Sequence, residues 1–187
     1  MKKSKLPFVI AIAAVSGGGK TTISTHLNDQ LANSKTLFFD DYDFDGPDDI
    51  IDWVDTGANY DEWDLSPLIK DLETLLTEPL DYIVLDFPFA YKHSKMSNFI
   101  NCTVFIDTPL DIAMARRVTR EFNNSPVENI IMNMNNYISH ERRGYLEMLK
   151  TIKPNSDIIV DGTLFISEIV YFIAQIIEQK VKMIDYK

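Results

Sequence analysis

Ser16-Gly17-Gly18-Gly19-Lys20-Thr21-Thr22 is the stretch of this chain whose residue types and spacing speak most directly of chemistry. With Ala14 and Val15 before it, it follows the phosphate-loop pattern G-x-x-x-x-G-K-[ST], except that alanine holds the first place. Glycines let successive backbone N–H groups turn inward around phosphate oxygens, and a helix opening at Lys20 adds positive potential there. The expected ligand set is therefore Ser16 through Thr22. Lys20 would reach the β- and γ-phosphates, and the Thr21 hydroxyl would bind magnesium. A flexible glycine turn with a solvated lysine is the plainer alternative. The apolar strand before the motif and the helical pattern after it argue against that alternative. A second acid should close a neighbouring strand and hold the metal's water shell, and Asp86, ending Tyr82-Ile83-Val84-Leu85-Asp86, has that position.

A second cluster is FFDDYDFDGPDDIID, residues 38–52, with seven aspartates in fifteen residues. From Asp41 it reads D-x-D-x-D-G with Asp52 at the twelfth place, like a calcium loop. A calcium loop needs a helix on each side, an apolar eighth residue and a glutamate at the twelfth. Here a strand precedes the run, and those two places hold Asp48 and Asp52. The other reading is a strand end presenting the Asp40 carboxylate to a substrate, followed by a solvated loop whose crowded charge would repel anions and favour a neutral or cationic substrate. Trp53, Tyr60 and Trp63 follow, and could stack on a flat ring or simply fill the core.

These residues need a frame. An apolar strand is expected over 6–15 and a helix over 19–32 with Ile23, Leu27 and Leu31 on one face. Short strands follow at 36–39, 82–85, 103–106 and 158–160. Ser66-Pro67 and Thr108-Pro109 read as caps followed by proline, each opening a helix. A long, interrupted helix should cover 126–150 with Ile131, Met134, Ile138, Tyr145 and Leu149 as its stripe, and a last helix 165–182. Unalternating apolar strands separated by helices predict a five-stranded parallel sheet in a three-layer α/β/α P-loop NTPase fold. It is a single domain over 1–187, with its crevice at the carboxyl ends of the strands.

Composition narrows the function classes. A net charge of −10 and no dense Lys/Arg run argue against nucleic-acid binding. One cysteine, Cys102, excludes an internal disulfide and a cysteine zinc site, and His26, His93 and His140 lack ligand spacing. Lys2, Lys3 and Lys5 before the first apolar run imitate a secretory signal, but cleavage near Ala14 would cut the phosphate loop. The run is also too short to span a membrane. The expectation is a cytoplasmic protein without membrane or nucleic-acid partners. The apolar last helix could pack at a homodimer interface or cover the sheet.

In order, GGGKTT, FFDDYDF, YIVLDF, FIDTPLDIAMARRVTRE and RRGYLEMLKTIKPNSDIIVDG resemble the uridine kinase and nicotinamide riboside kinase group of small-molecule kinases, over roughly residues 7–162. The resemblance implies ATP, magnesium and a nucleoside-like acceptor phosphorylated on a hydroxyl. It makes Asp40, first in the group's D-[DS]-[FY] motif, the residue that orients that hydroxyl and takes its proton, with Asp41, Tyr42 and Trp63 toward the substrate. Asp86 stands where the group usually has glutamate before glycine, a shorter acid followed by Phe87. The group's lid pattern R-R-x-x-R-[DE] matches Arg116, Arg117, Arg120 and Glu121, in a short lid at about 112–127 that Asn123-Asn124-Ser125-Pro126 interrupts. Arg117 and Arg120 would then close over the phosphates. Leu110, Met114, Val118 and Phe122 form an apolar stripe, so Arg116 and Arg120 could instead be a solvated face. Arg142 and Arg143 are read as partners of surface acids. Other readings are a kinase for a coenzyme precursor or sugar, and a regulatory NTP hydrolase without an acceptor.

Overall fold

The run Phe8–Ala13 forms the central strand β1, buried at every position because both faces of the sheet are covered. The computed structural model describes residues 6–185, the side chains of 184 and 185 excepted, so Lys2, Lys3 and Lys5 lie outside the described residues. After β1 come helix α1 (Lys20–Gln30), β2 (Ser34–Phe38), α2 (Ile50–Asp55), α3 (Ser66–Leu75), β3 (Tyr82–Asp86) and α4 (Ser94–Ser97). The chain continues with β4 (Cys102–Asp107), α5 (Leu110–Glu121), α6 (Val127–Asn136), α7 (Arg142–Thr151), β5 (Ile158–Asp161) and α8 (Ile166–Asp185). All pairings are parallel, and the strand order is β2-β3-β1-β4-β5. The expected five-stranded, three-layer architecture is the observed one.

The two-residue period of β1 divides the core. Val9, Ala11 and Ala13 face one layer with Leu68, Leu72 and Leu75 of α3. Phe8, Ile10 and Ile12 face the other, against Ile23 and Leu27 of α1 and Ile169, Ile173 and Ile177 of α8. A third cluster, Val15, Ala113, Met114, Tyr137 and Tyr145, packs α5 and the α6–α7 segment against the end of β1. This cluster ties α5 to the loop after β1.

Several local expectations change. Ser66 is the first residue of α3, not its cap; the Asp64 carboxylate accepts its N–H at 3.1 Å and its hydroxyl. Pro109, not Thr108, precedes α5, which leaves the Thr108 hydroxyl free for another partner. The short helix α2 lies inside the aspartate-rich loop, because Asp49 caps it by accepting from Ile51 N at 2.7 Å and Asp52 N at 3.2 Å. Between α6 and α7 the chain makes a π-helical turn over Tyr137–Glu141. The extra residue shifts the helical phase, so Tyr137 is buried and the expected Ile131 and Ile138 are exposed.

Candidate functional site

The loop after β1 is built by its glycines. Gly17 has φ +78° and Gly19 φ +100°, both left-handed values that cost glycine little. A Cβ on Gly17 would stand 2.1 Å from the Ala113 carbonyl oxygen, so the loop and α5 touch backbone to backbone. Ala14, in the place of the motif's first glycine, is buried and has no positive φ, so it fits without strain. Gly18 must stay small beside it: a Cβ there would lie 2.8 Å from the Ala14 Cβ. No side chain caps α1, and its first amides keep their hydrogen-bonding capacity for an anion.

Those amides open on a cavity of about 240 Å³ lined by Ser16, Gly17, Gly19, Lys20, Thr21 and Thr22. Asp40 and Arg120 line it too, with Phe39, Pro88 and Met148. Gly18, expected among the phosphate ligands, is not on its wall. Its N–H closes the turn onto the Val15 carbonyl at 2.8 Å, and its own carbonyl accepts the Thr108 hydroxyl at 2.8 Å.

Asp86 ends β3 beside β1 and is almost fully buried. It accepts the Thr21 hydroxyl at 2.7 Å, and Lys20 rests on its other oxygen. Burial pushes the Lys20 ammonium down to about 8, against the raising influence of Asp40, while Arg120 lowers it further. A hydroxyl and a carboxylate side by side are hard oxygen donors, the kind that magnesium prefers, so the residues present fit that ion. Among the described residues no group of three or more His, Cys, Asp or Glu side chains converges to hold a metal, the aspartate-rich loop included.

A second cavity, of about 690 Å³, adjoins the first and shares Ser16 and Met148 with it. Trp53, Tyr60, Trp63 and Phe89 form its aromatic wall, and Asp48, Asp49, Glu121 and Glu141 bring carboxylates to its edge. Trp53 and Tyr60 meet edge to face at 5.0 Å and are both buried, so they serve core and wall at once.

The remaining expected site residues divide. Asp41 and Tyr42 are not brought to either cavity. A 3-10 turn over Phe39–Asp41 swings the Tyr42 ring onto Phe44, and its hydroxyl donates to Asp71 of α3 at 2.9 Å. Burial, then that hydrogen bond, raises the Tyr42 pKa. Arg117 faces the second cavity. Its guanidinium pairs with Glu141, lies 3.2 Å from Glu121, and donates to the Tyr145 hydroxyl at 3.0 Å. The Glu141 bond raises its pKa further. Arg116 donates to the Gly162 carbonyl at 3.2 Å, and Arg143 pairs with Asp55 at 2.7 Å. Sequence reasoning missed Phe89, Met148, His140 and Glu141, which reach the second cavity from segments far apart in the chain.

A parallel sheet in this order, a phosphate loop between β1 and α1, and an acid closing β3 define a P-loop kinase fold. Among solved structures the chain is similar to a gluconokinase from Sinorhizobium meliloti, with TM-score 0.56, 14% identity and coverage of 97% of this chain and 98% of the other. It is also similar to a shikimate kinase from Aquifex aeolicus, with TM-score 0.52, 17% identity and coverage of 93% and 98%. No family model matches the chain. In sequence the chain is uridine kinase-like. It is 28% identical over 188 residues to a uridine kinase of Lactobacillus johnsonii, covering 84% of this chain and 88% of the relative. It is 24% identical over 182 residues to that of Halobacterium salinarum, covering 82% and 79%. Together these similarities support a P-loop small-molecule kinase, a phosphotransferase. Among the described residues no helix is long and apolar enough to cross a membrane.

Proposed function

We propose that the protein transfers the γ-phosphoryl group of ATP to a primary hydroxyl of a nucleoside-like acceptor. The observation that carries this reading is the pair of adjoining cavities: a phosphate cradle with Asp40 on its wall, sharing Ser16 and Met148 with a larger aromatic-walled space. The uridine kinase relatives support the same acceptor class.

In this reading the amides of the loop and of the first turn of α1 bind the triphosphate, and Lys20 leaves Asp86 to meet the β- and γ-phosphates. Thr21 and Asp86 would hold magnesium, which when bound would offset the negative charge of the phosphates. The acceptor ring packs against Trp63 and its neighbours, which turns its hydroxyl toward Asp40. The hydroxyl oxygen forms the new bond to the γ-phosphorus as the bond to the bridging oxygen breaks. ADP leaves with that electron pair, and Asp40 takes the hydroxyl proton. Arg120 is the lid arginine on the phosphate cavity and screens the moving charge. Arg117 can reach that cavity only by leaving Glu141. Positioning and electrostatics account for the rate, with no covalent intermediate.

A panel of nucleosides, a pyridinium riboside and simple sugars, incubated with ATP and magnesium and read by mass spectrometry, tests the reading. A phosphorylated nucleoside or riboside is expected. ATP loss at a rate indifferent to every acceptor would instead indicate a nucleotide hydrolase, and phosphorylation of sugars alone would reassign the acceptor.

A further inference from the structure

His93 lies on the wall of neither cavity, yet it fastens one of them. The imidazole is 2% exposed, in the turn that leads from β3 into α4. Its Nδ1 accepts the Met96 N–H at 3.3 Å, so that nitrogen carries no proton and Nε2 does. Nε2 lies 3.1 Å from the Trp63 carbonyl, and with the proton fixed there it donates to that oxygen, thirty residues away in sequence. The Asp61 carboxylate, 3.9 Å from Nε2, accepts the Ser94 N–H at 2.7 Å and makes a second tie between the same segments.

Trp63 needs such a tie. Its indole Nε1 is buried without a hydrogen-bond partner, so no polar contact of its own orients the ring. The ring leans on Phe89 at 5.4 Å and Phe39 at 6.2 Å, and the Gly46 backbone lies against its far side, where a Cβ would stand 2.7 Å away. Ring packing confines the indole, while the backbone hydrogen bond sets how deeply the 60–63 segment sits.

We propose that His93 is a positioning residue for the acceptor: through the Trp63 carbonyl it holds the aromatic wall at the depth an acceptor ring requires. This rests on the kinase reading above. Two substitutions separate the ring's two bonds. In His93→Asn the side-chain oxygen can still accept from Met96, but nothing reaches Trp63. In His93→Gln the amide nitrogen can still reach Trp63 while the Met96 bond is given up. Steady-state kinetics of both variants, with the acceptor found in the nucleoside panel, give the readout. His93→Asn should raise the acceptor KM about fivefold, the worth of one neutral hydrogen bond, and leave kcat and the ATP KM within about twofold. His93→Gln should restore the acceptor KM to near the parent value. An unchanged acceptor KM in His93→Asn, or a rise just as large in His93→Gln, overturns the assignment. A parent protein that phosphorylates no acceptor overturns the kinase reading itself, and this inference with it.

Discussion

Replacing Thr108 with valine should weaken the phosphate cradle from a residue that touches no ligand. The Thr108 side chain is 2% exposed, and its hydroxyl donates to the Gly18 carbonyl at 2.8 Å across ninety residues of sequence. Valine keeps the shape and removes the donor, which strands a buried carbonyl at a cost of about 1–3 kcal/mol. For a domain of this size each kcal/mol lowers Tm by about 2–4 °C, so a drop of roughly 2–12 °C is expected. Because the stranded group belongs to the loop, nucleotide binding should suffer as well, and isothermal titration with an ATP analogue should show affinity down by about three- to tenfold. Thr108→Ser keeps the donor and should recover most of both losses. Gly162→Ala attacks the same contact from the turn after β5, since its Cβ would come 1.9 Å from the Thr108 hydroxyl oxygen, and should resemble the valine variant. Parent-like Tm and affinity in Thr108→Val, or a serine variant no better than valine, would refute the reasoning.

Other predictions bear on the charges and the backbone of the site. With Lys20 titrating at about 8, the ammonium that attracts phosphate is lost as pH rises through that value. ATP affinity should then fall by up to about tenfold per pH unit above it. Lys20→Arg keeps its charge and should show a flat profile over the same range by titration calorimetry. Gly17→Ala demands a left-handed alanine 2.1 Å from the Ala113 oxygen and should abolish ATP binding in the same assay. Arg120 and Arg117 should separate by readout. Arg120→Ala, whose side chain is exposed on the phosphate cavity, should lower kcat on the order of 10²-fold with Tm unchanged. Arg117→Ala removes its ion pairs with Glu141 and Glu121, leaving Glu141 the Asn136 amide and Glu121 the Arg120 guanidinium, and should cost about 2 kcal/mol in thermal unfolding.

What could be read in the chain was what depends on neighbours in sequence. The phosphate loop, Asp86 and Asp40 each sit where a strand ends, and a strand followed by a turn or helix is written in consecutive residues. Tyr42 shows the limit of that reasoning. Two residues past Asp40 it looks like part of the same motif, but a single 3-10 turn points it at Asp71. Thr108 carried the residue type of a helix cap, and only the packing of β4 beside the loop shows that its hydroxyl serves Gly18. The aromatic wall was half legible. Trp53, Tyr60 and Trp63 stood out as a cluster, whereas Phe89 and Met148 join them through tertiary packing, and Glu141 through a π-helical turn that shifts the phase of a regular helix. Arg117 kept the spacing expected from the sequence, and two of its partners, Glu141 and Tyr145, come from a segment whose register no periodicity could supply.

The account stands on Asp40 acting across the cavity from the phosphate loop, and Asp40→Asn tests it most directly. With the acceptor identified in the nucleoside panel, the variant should bind ATP like the parent while phosphoryl transfer falls by about 10²–10⁴-fold, the contribution of a general base. Transfer at the parent rate, with ATP binding intact, would contradict it.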